Sequence, residues 1–229
     1  MTDHQIVSRT EWIEARRALL AQEKEFTRQR DQLSEARRQL PWERVEKNYV
    51  FDTPSGKKAL AELFDGRSQL VVYHFMFGPD DEAGCKSCSF WADNFNPNVI
   101  HLGARDVSFV AISRAPFDRL GAYKERMGWG FKWVSSGETD FNFDYGVSFA
   151  PDDQSSPVYN YGQSPGIADR EGMSVFFADE SGIFHTYSSY ARGIDLLNTA
   201  YNYLDLVPKG RDEGDRGQSW VRRRDEYDS

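Results

Sequence analysis

Long hydrophobic runs are missing from this chain of 229 residues. No stretch approaches the roughly 18 consecutive apolar residues that mark a membrane-spanning helix. The first residues, MTDHQIVSRTEWIEARR, are polar and charged. They lack the apolar centre and small-residue cleavage site of a secretory signal, so the cytoplasm is the expected location. Positive charge is in deficit, with 28 Lys and Arg against 36 Asp and Glu, a net charge of −8 and a pI near 5.1. Nucleic-acid recognition needs clustered cations to displace counterions from phosphate. Neither a nucleic-acid partner nor an anionic membrane is therefore expected. The one basic cluster, Arg222 to Arg224, is followed at once by Asp225 and Glu226. Cysteine is nearly absent, at two residues. That excludes a disulfide scaffold, and a reducing compartment disfavours structural disulfides in any case. A structural zinc site asks for four ligands, and no second C-x-x-C exists to supply them. Internal repeats and low-complexity blocks are also missing.

What is present suits one good-sized domain with extensions: 39% of the residues are hydrophobic, enough for a core. Residues 8–40 contain no Pro or Gly, and Trp12, Leu19, Phe26, Leu33 and Leu40 recur every seven residues. This predicts a long amphipathic helix with a narrow apolar stripe. The second row (Ala15, Gln22, Gln29, Ala36) is only half apolar, so docking on the same chain and pairing in a homodimer both stay open. After Pro41 the pattern changes to short strands and helices. LVVYHFMF (residues 70–77) and VSFVAIS (107–113) are uninterrupted apolar runs and predict buried strands. PFDRLGAYKERMG predicts a helix opened by Pro116 and closed by Gly128. FKWVSS predicts a third strand, MSVFFAD and GIFHTYSS a hairpin around Glu180-Ser181-Gly182, and ARGIDLLNTAYNYLDLV a closing helix ended by Pro208. DFNFDYGVSF is expected as an irregular connection, and 151–170 as a turn-rich surface insertion. The boundaries that follow are 1–40 for the helical extension, 41–208 for an α/β domain, and 209–229 for a polar tail, solvated or loosely docked. The order β-α-β-α-β then β-β-α implies a mixed sheet with helices on both faces.

Both cysteines stand in one short stretch, Gly84-Cys85-Lys86-Ser87-Cys88-Ser89, just beyond the first buried run. The junction from strand to helix in an α/β sheet faces ligand. At a helix start, unpaired N–H groups and the positive end of the helix dipole stabilise a thiolate, the reactive form of cysteine. Cys88, three residues on, lies one turn deeper on the same face. The spacing suits a pair in which Cys85 attacks and Cys88 resolves. Lys86 favours the thiolate, whereas Asp80, Asp81 and Glu82 oppose it where they lie close. Trp91, three residues after Cys88, is expected beside the dithiol.

C-x-x-C after the first buried strand, together with this element order, resembles the thioredoxin superfamily. FDTPSGKKALAELFDGRSQLVVYHFMF is similar to the segment leading to the active cysteine of peroxiredoxins, and VFFADESGIFHTYS to their late hairpin. VVYHFMFGPD, GCKSCSFWAD, FHTYSSYARG and YNYLDLVPKGR more closely resemble a bacterial domain-of-unknown-function family of predicted dithiol-disulfide oxidoreductases, over about Ser8 to Asp212. The resemblance implies a thioredoxin-like, peroxiredoxin-related α/β fold carrying the long N-terminal helix. It implies thiol–disulfide exchange by Cys85 and Cys88 without metal or other cofactor, on protein or small-molecule thiols and disulfides. Gly84, Lys86, Ser87, Trp91, Gly172 and Met173 would face the substrate. Two positions depart from thioredoxins. No proline stands at Glu171-Gly172-Met173, where they place a cis-proline, and Gly84 replaces the tryptophan before the first cysteine.

Two rival chemistries use the same residues. Cys85 and Cys88 with His185 or His74 would make a copper-type site on a non-catalytic binding module. A peroxidase of the peroxiredoxin kind would need Thr where Glu82 stands, with Arg114 as the candidate anion-binding group. His74, inside a buried strand, is expected to be a core histidine with one hydrogen bond.

Overall fold

The computed structural model describes residues 4–150, 158–162 and 166–227. The turn-rich reading of 151–170 falls partly outside them, at 151–157 and 163–165. The chain divides into two compact units, Met1–Pro41 and Trp42–Ser229.

The first unit is helix α1, Arg9–Arg38. It opens on a capping box: Ser8 Oγ accepts from the Glu11 N–H at 3.3 Å, and the Glu11 carboxylate accepts from the Ser8 N–H at 2.9 Å. Arg37 and Arg38 occupy its last turn, where cations suit the dipole. No residue of the helix is buried, and Trp12, Leu19, Phe26, Leu33 and Leu40 are between 45% and 65% exposed.

The second unit is built on a sheet of eight strands. They are β1 (Glu43–Arg44), β2 (Val50–Thr53), β3 (Gly56–Ala59), β4 (Gln69–His74), β5 (Val107–Ser113), β6 (Lys132–Ser135), β7 (Gly172–Asp179) and β8 (Gly182–Tyr190). The helices between them are α2 (Leu60–Leu63), α3 (Lys86–Ala92), α4 (Asn96–Gly103), α5 (Phe117–Met127), α6 (Phe141–Asp144) and α7 (Thr199–Leu204). The spatial order is β1-β8-β7-β4-β5-β6-β2-β3. β4, β5 and β6 run parallel, while β7 and β8 pair antiparallel on the other side of β4. This arrangement puts the C-terminal end of β4 at the centre of one sheet edge.

The central strands are apolar on both sides because both faces are covered. Leu70, Val72, Val110 and Ile112 point into one core with Phe51, Phe141 and Phe176. The alternate residues Val71, Tyr73, Phe109 and Ala111 point into the other, with Trp91, Phe95, Trp129 and Trp133. β4 stops at His74, short of the expected Phe77. The next residues stay extended and are tied singly, Phe75 N–H to Ile112 O at 2.9 Å and Ala115 N–H to Phe77 O at 2.8 Å. Helix α5 ends as expected at Gly128, whose φ of 64° is left-handed.

Two expectations are corrected. The closing helix is broken: a 3-10 turn spans Ala191–Leu197, and Asn198, in extended conformation, starts α7 afresh by accepting from the Tyr201 N–H at 3.2 Å. The expected irregular connection after β6 also contains α6. The polar tail is docked: it packs on the domain. Val221 is fully buried, and Trp220 donates to Glu213 at 2.8 Å. Arg126 pairs with Asp225 at 2.7 Å and Glu226 at 3.1 Å. Its mixed charges find partners on α5, and its two apolar residues supply the anchor.

Candidate active site

Cys85 is the residue that caps the N-terminus of α3. It is partly exposed, Cys88 is buried, and both are free thiols. One residue fixes both. The Met76 carbonyl accepts from the Cys85 N–H at 3.1 Å, and the Met76 N–H donates to the Cys88 sulfur at 3.4 Å. The extension of β4 thereby sets the height of the cysteines against the sheet edge.

Gly84 is packed so tightly that a Cβ would lie 2.8 Å from the rings of Phe75 and Tyr123. The tryptophan that thioredoxins place there cannot fit. The Gly84 carbonyl accepts from Arg223 Nη2 at 2.9 Å and Nε at 3.2 Å, and Arg223 Nε also reaches Tyr123 Oη at 2.9 Å. Ser89 Oγ bridges the same network, bonded to Tyr123 Oη at 2.9 Å and donating to the Cys85 carbonyl at 2.8 Å. The tail and α5 thus hold the backbone on both sides of the first cysteine.

The electrostatics separate the two sulfurs. The Cys88 thiol donates to the Cys85 sulfur, and with the N–H groups of Cys88 and Ser87 it holds the Cys85 pKa at about 6, against burial and the Glu171 charge. Cys88 is pushed well above the ordinary thiol range, first by burial, then by its bond and charge interaction with Cys85. Glu171 acts on both thiols in the same direction. Among the groups that dominate Cys85, Lys86 and the Asp80–Glu82 loop do not figure. Asp81 instead closes its own turn, accepting from the Gly78 N–H at 2.7 Å.

A cleft of about 290 Å³ opens over the dithiol. Of the residues expected to face substrate, Ser87 and Trp91 line it with the cysteines, and Trp91 is fixed by donating to the Ile194 carbonyl at 3.0 Å. Gly84 and Lys86 do not line it, and Gly84 is buried beneath the tail. Gly172 and Met173 are corrected as well. They pair in register with His74 and Tyr73 inside the sheet, and the residues just before them, Arg170 and Glu171, form the wall. Ala191, Arg192 and Asp195 line it too, with Gln218 from the C-terminal segment. Tyr73 lies in the floor; its hydroxyl is buried beside the Cys88 sulfur and has no other partner. Local pattern gave no sign of the walls, which come from segments 85 to 133 residues beyond Cys85 along the chain. The missing proline was the one hint that the Glu171 position is unusual.

The rival ligand sets do not assemble. Among the described residues, no three His, Cys, Asp or Glu side chains come together to hold a metal. His74 bonds Ser174 at 2.9 Å, and His185 bonds Ser188 at 2.7 Å. Arg114 pairs with Asp169 at 3.3 Å. Among the described residues, no helix is long and apolar enough to cross a membrane.

No curated protein matches the chain. Its fold is similar to that of a peroxiredoxin Q mutant from Xanthomonas campestris, with 10% identity over 72% of this chain and 97% of the other, at a TM-score of 0.49. It is also similar to the peroxidoxin BcpB from Mycobacterium tuberculosis, with 13% identity over 70% and 94% and a TM-score of 0.47. A mutant of peroxiredoxin 6 from Arenicola marina is 14% identical over 74% and 76%, with a TM-score of 0.46. With residues 1–227 matching its model, the chain belongs to the family described as bacterial protein of unknown function (DUF899).

Proposed function

We propose that the protein is a dithiol–disulfide oxidoreductase, with Cys85 as nucleophile and Cys88 as resolving thiol. The observation that carries this reading is the split between the sulfurs: a partly exposed Cys85 with its pKa held at about 6, hydrogen-bonded by a buried, protonated Cys88. A thiolate that reaches solvent and a second thiol within bonding reach are what exchange requires.

In the reducing direction, the Cys85 thiolate attacks one sulfur of a disulfide R–S–S–R. The S–S bond breaks, one R–S⁻ leaves and takes a proton, and a mixed disulfide remains on Cys85. Cys88 then gives up its proton, for which Glu171 is the acceptor in the cleft, and attacks the Cys85 sulfur. The second R–SH leaves, and the protein holds a Cys85–Cys88 disulfide. Two electrons have passed to the substrate, and the reverse sequence oxidises a dithiol. No metal or organic cofactor enters these steps. A reducing compartment, the cytoplasm, suits a dithiol used in this way.

The test is mass spectrometry of the reduced protein after mild oxidation with a small disulfide. The expected product is an intact chain lighter by two hydrogens, with both sulfurs in one cross-linked peptide. Cys88→Ser should accumulate the mixed disulfide on Cys85. A protein that stays fully reduced, or forms only intermolecular adducts, would overturn the reading.

A further inference from the structure

We propose that the cleft over Cys85 takes a low-molecular-weight disulfide bearing both carboxylate and ammonium groups, rather than the disulfide of a folded protein. This rests on the exchange reading above and names its substrate class.

Size is the first argument. At about 290 Å³ the cleft lies at the small end of ligand pockets, which run from about 300 to 1,000 Å³. It is walled on more than one side. Arg170 and Glu171 stand before β7, Ala191 to Asp195 follow β8, and Gln218 closes in from the C-terminal segment. A disulfide within a folded protein arrives with chain running away from both cysteines, and these walls leave little room for it. A free disulfide brings only its own short arms.

The walls are joined and rigid. Tyr159, buried between them, donates its hydroxyl to the Glu171 carbonyl at 3.1 Å and carboxylate at 3.2 Å. The same oxygen accepts from the Ala191 N–H at 2.9 Å, and the Arg170 guanidinium lies 5.4 Å from the Tyr159 ring centre. One side chain therefore sets the spacing of the cleft and the place of two of its charges.

Charge gives the substrate its chemistry. The lining carries Arg170 and Arg192 against Glu171 and Asp195. Asp195 is already matched by Arg211 at 2.8 Å, a residue outside the cleft. Arg192 makes only a 3.4 Å contact with it, and its side chain is 88% exposed. Arg192 is thus the cation offered to a carboxylate, and Glu171 is the anion offered to an ammonium. At the floor, the Tyr73 hydroxyl supplies a buried polar group beside the Cys88 sulfur. A purely apolar or singly charged disulfide would leave one sign of this lining unmatched.

The test follows single-turnover oxidation of the reduced full-length protein: E(SH)₂ + RSSR → E(S–S) + 2 RSH. The probes are cystine, cystamine (ammonium only), dithiodiglycolate (carboxylate only), bis(2-hydroxyethyl) disulfide (neutral) and insulin. Cystine should react at least about fivefold faster than the neutral disulfide, the effect of matched charges at a partly exposed site. Raised salt should shrink that ratio, and Arg192→Gln should lower it by about threefold. Equal rates for cystine and the neutral disulfide, or a faster insulin reaction, would overturn the proposal while leaving exchange intact. Failure of every probe to oxidise the dithiol would overturn the exchange reading itself.

Discussion

Met76 donates its backbone N–H to the sulfur of Cys88 at 3.4 Å, and its carbonyl receives the N–H of Cys85. The Cys88 sulfur is therefore held in place by the extension of β4 before any substrate arrives. Its own proton is left to point at Cys85, where it is the largest influence lowering the pKa to about 6. Iodoacetamide alkylation of Cys85 should rise with pH around a midpoint near 6, and Cys88, being buried and protonated, should react far more slowly. In Cys88→Ala the Cys85 midpoint should move upward by about 1–2 pH units, the worth of one hydrogen bond to a charged group. An unmoved midpoint would show that the helix N-terminus alone makes the thiolate.

Arg223 reaches the backbone next to Cys85 from the C-terminal segment. Arg223→Ala removes donors from the Gly84 carbonyl and the Tyr123 hydroxyl. With the guanidinium partly exposed, the expected loss of stability is about 1–2 kcal/mol by denaturant unfolding. The Cys85 alkylation midpoint should also shift, because the loop that presents its sulfur to the helix N–H groups is loosened. Arg223→Lys should restore part of the stability and less of the midpoint, since a point-like ammonium does not reproduce the planar Nε and Nη2 contact with the Gly84 carbonyl. A stable variant with an unchanged midpoint would reduce the contact to surface decoration.

His74 is fully buried in β4, with Nε2 bonded to Ser174 and Nδ1 unpartnered. Burial, and the neighbouring His185, hold its pKa down to about 3 from an ordinary 6.5. Between those values the unfolded chain binds a proton that the folded chain refuses. Stability from this group is therefore complete above 6.5 and is lost as the pH falls towards 3, at up to about 1.4 kcal/mol per pH unit. Denaturant midpoints taken from pH 7 to pH 4.5 should fall in the wild type and fall less steeply in His74→Gln. If the variant does not fold, a flat wild-type profile over the same range is enough to refute the point.

The stripe on α1 invites association. Four large apolar side chains of the helix and Leu40 just beyond its end, each about half exposed, recur at the spacing of a helix–helix seam. Light scattering of the full chain should report a dimer, and Phe26→Glu, which charges the middle of the stripe, should shift it to monomer with the dithiol chemistry unchanged. A wild-type monomer at all concentrations would assign the stripe to another partner.

The elements that carry the cysteines were legible because each rests on a local rule. β4 and β5 are apolar runs, α5 begins at a proline and ends at a left-handed glycine, and Cys85 caps α3 after the end of the first central strand. Local rules failed where distant segments meet. Nothing near Gly84 announces Arg223, and nothing near Cys88 announces Tyr73 as its neighbour or Glu171 as the carboxylate that acts on it. The polar tail, with its alternating charges, read as solvated or loosely docked, and that alternation lets Asp225 and Glu226 pair with Arg126 while Val221 is buried. The same limit hid Asn198, whose side chain begins a new helix where the apolar pattern runs on without a break.

The distance along the chain between Gly84 and Arg223, 139 residues, has a consequence for synthesis. At translation speeds of about 5–20 residues per second, Arg223 is added roughly 7–28 s after Gly84. During that interval the ribosome carries a cysteine pair whose supporting clamp has not yet been made. The Gly84 carbonyl and the Tyr123 hydroxyl receive their guanidinium only when the late segment folds back across α5, after the groups that tune Cys85 have all been made.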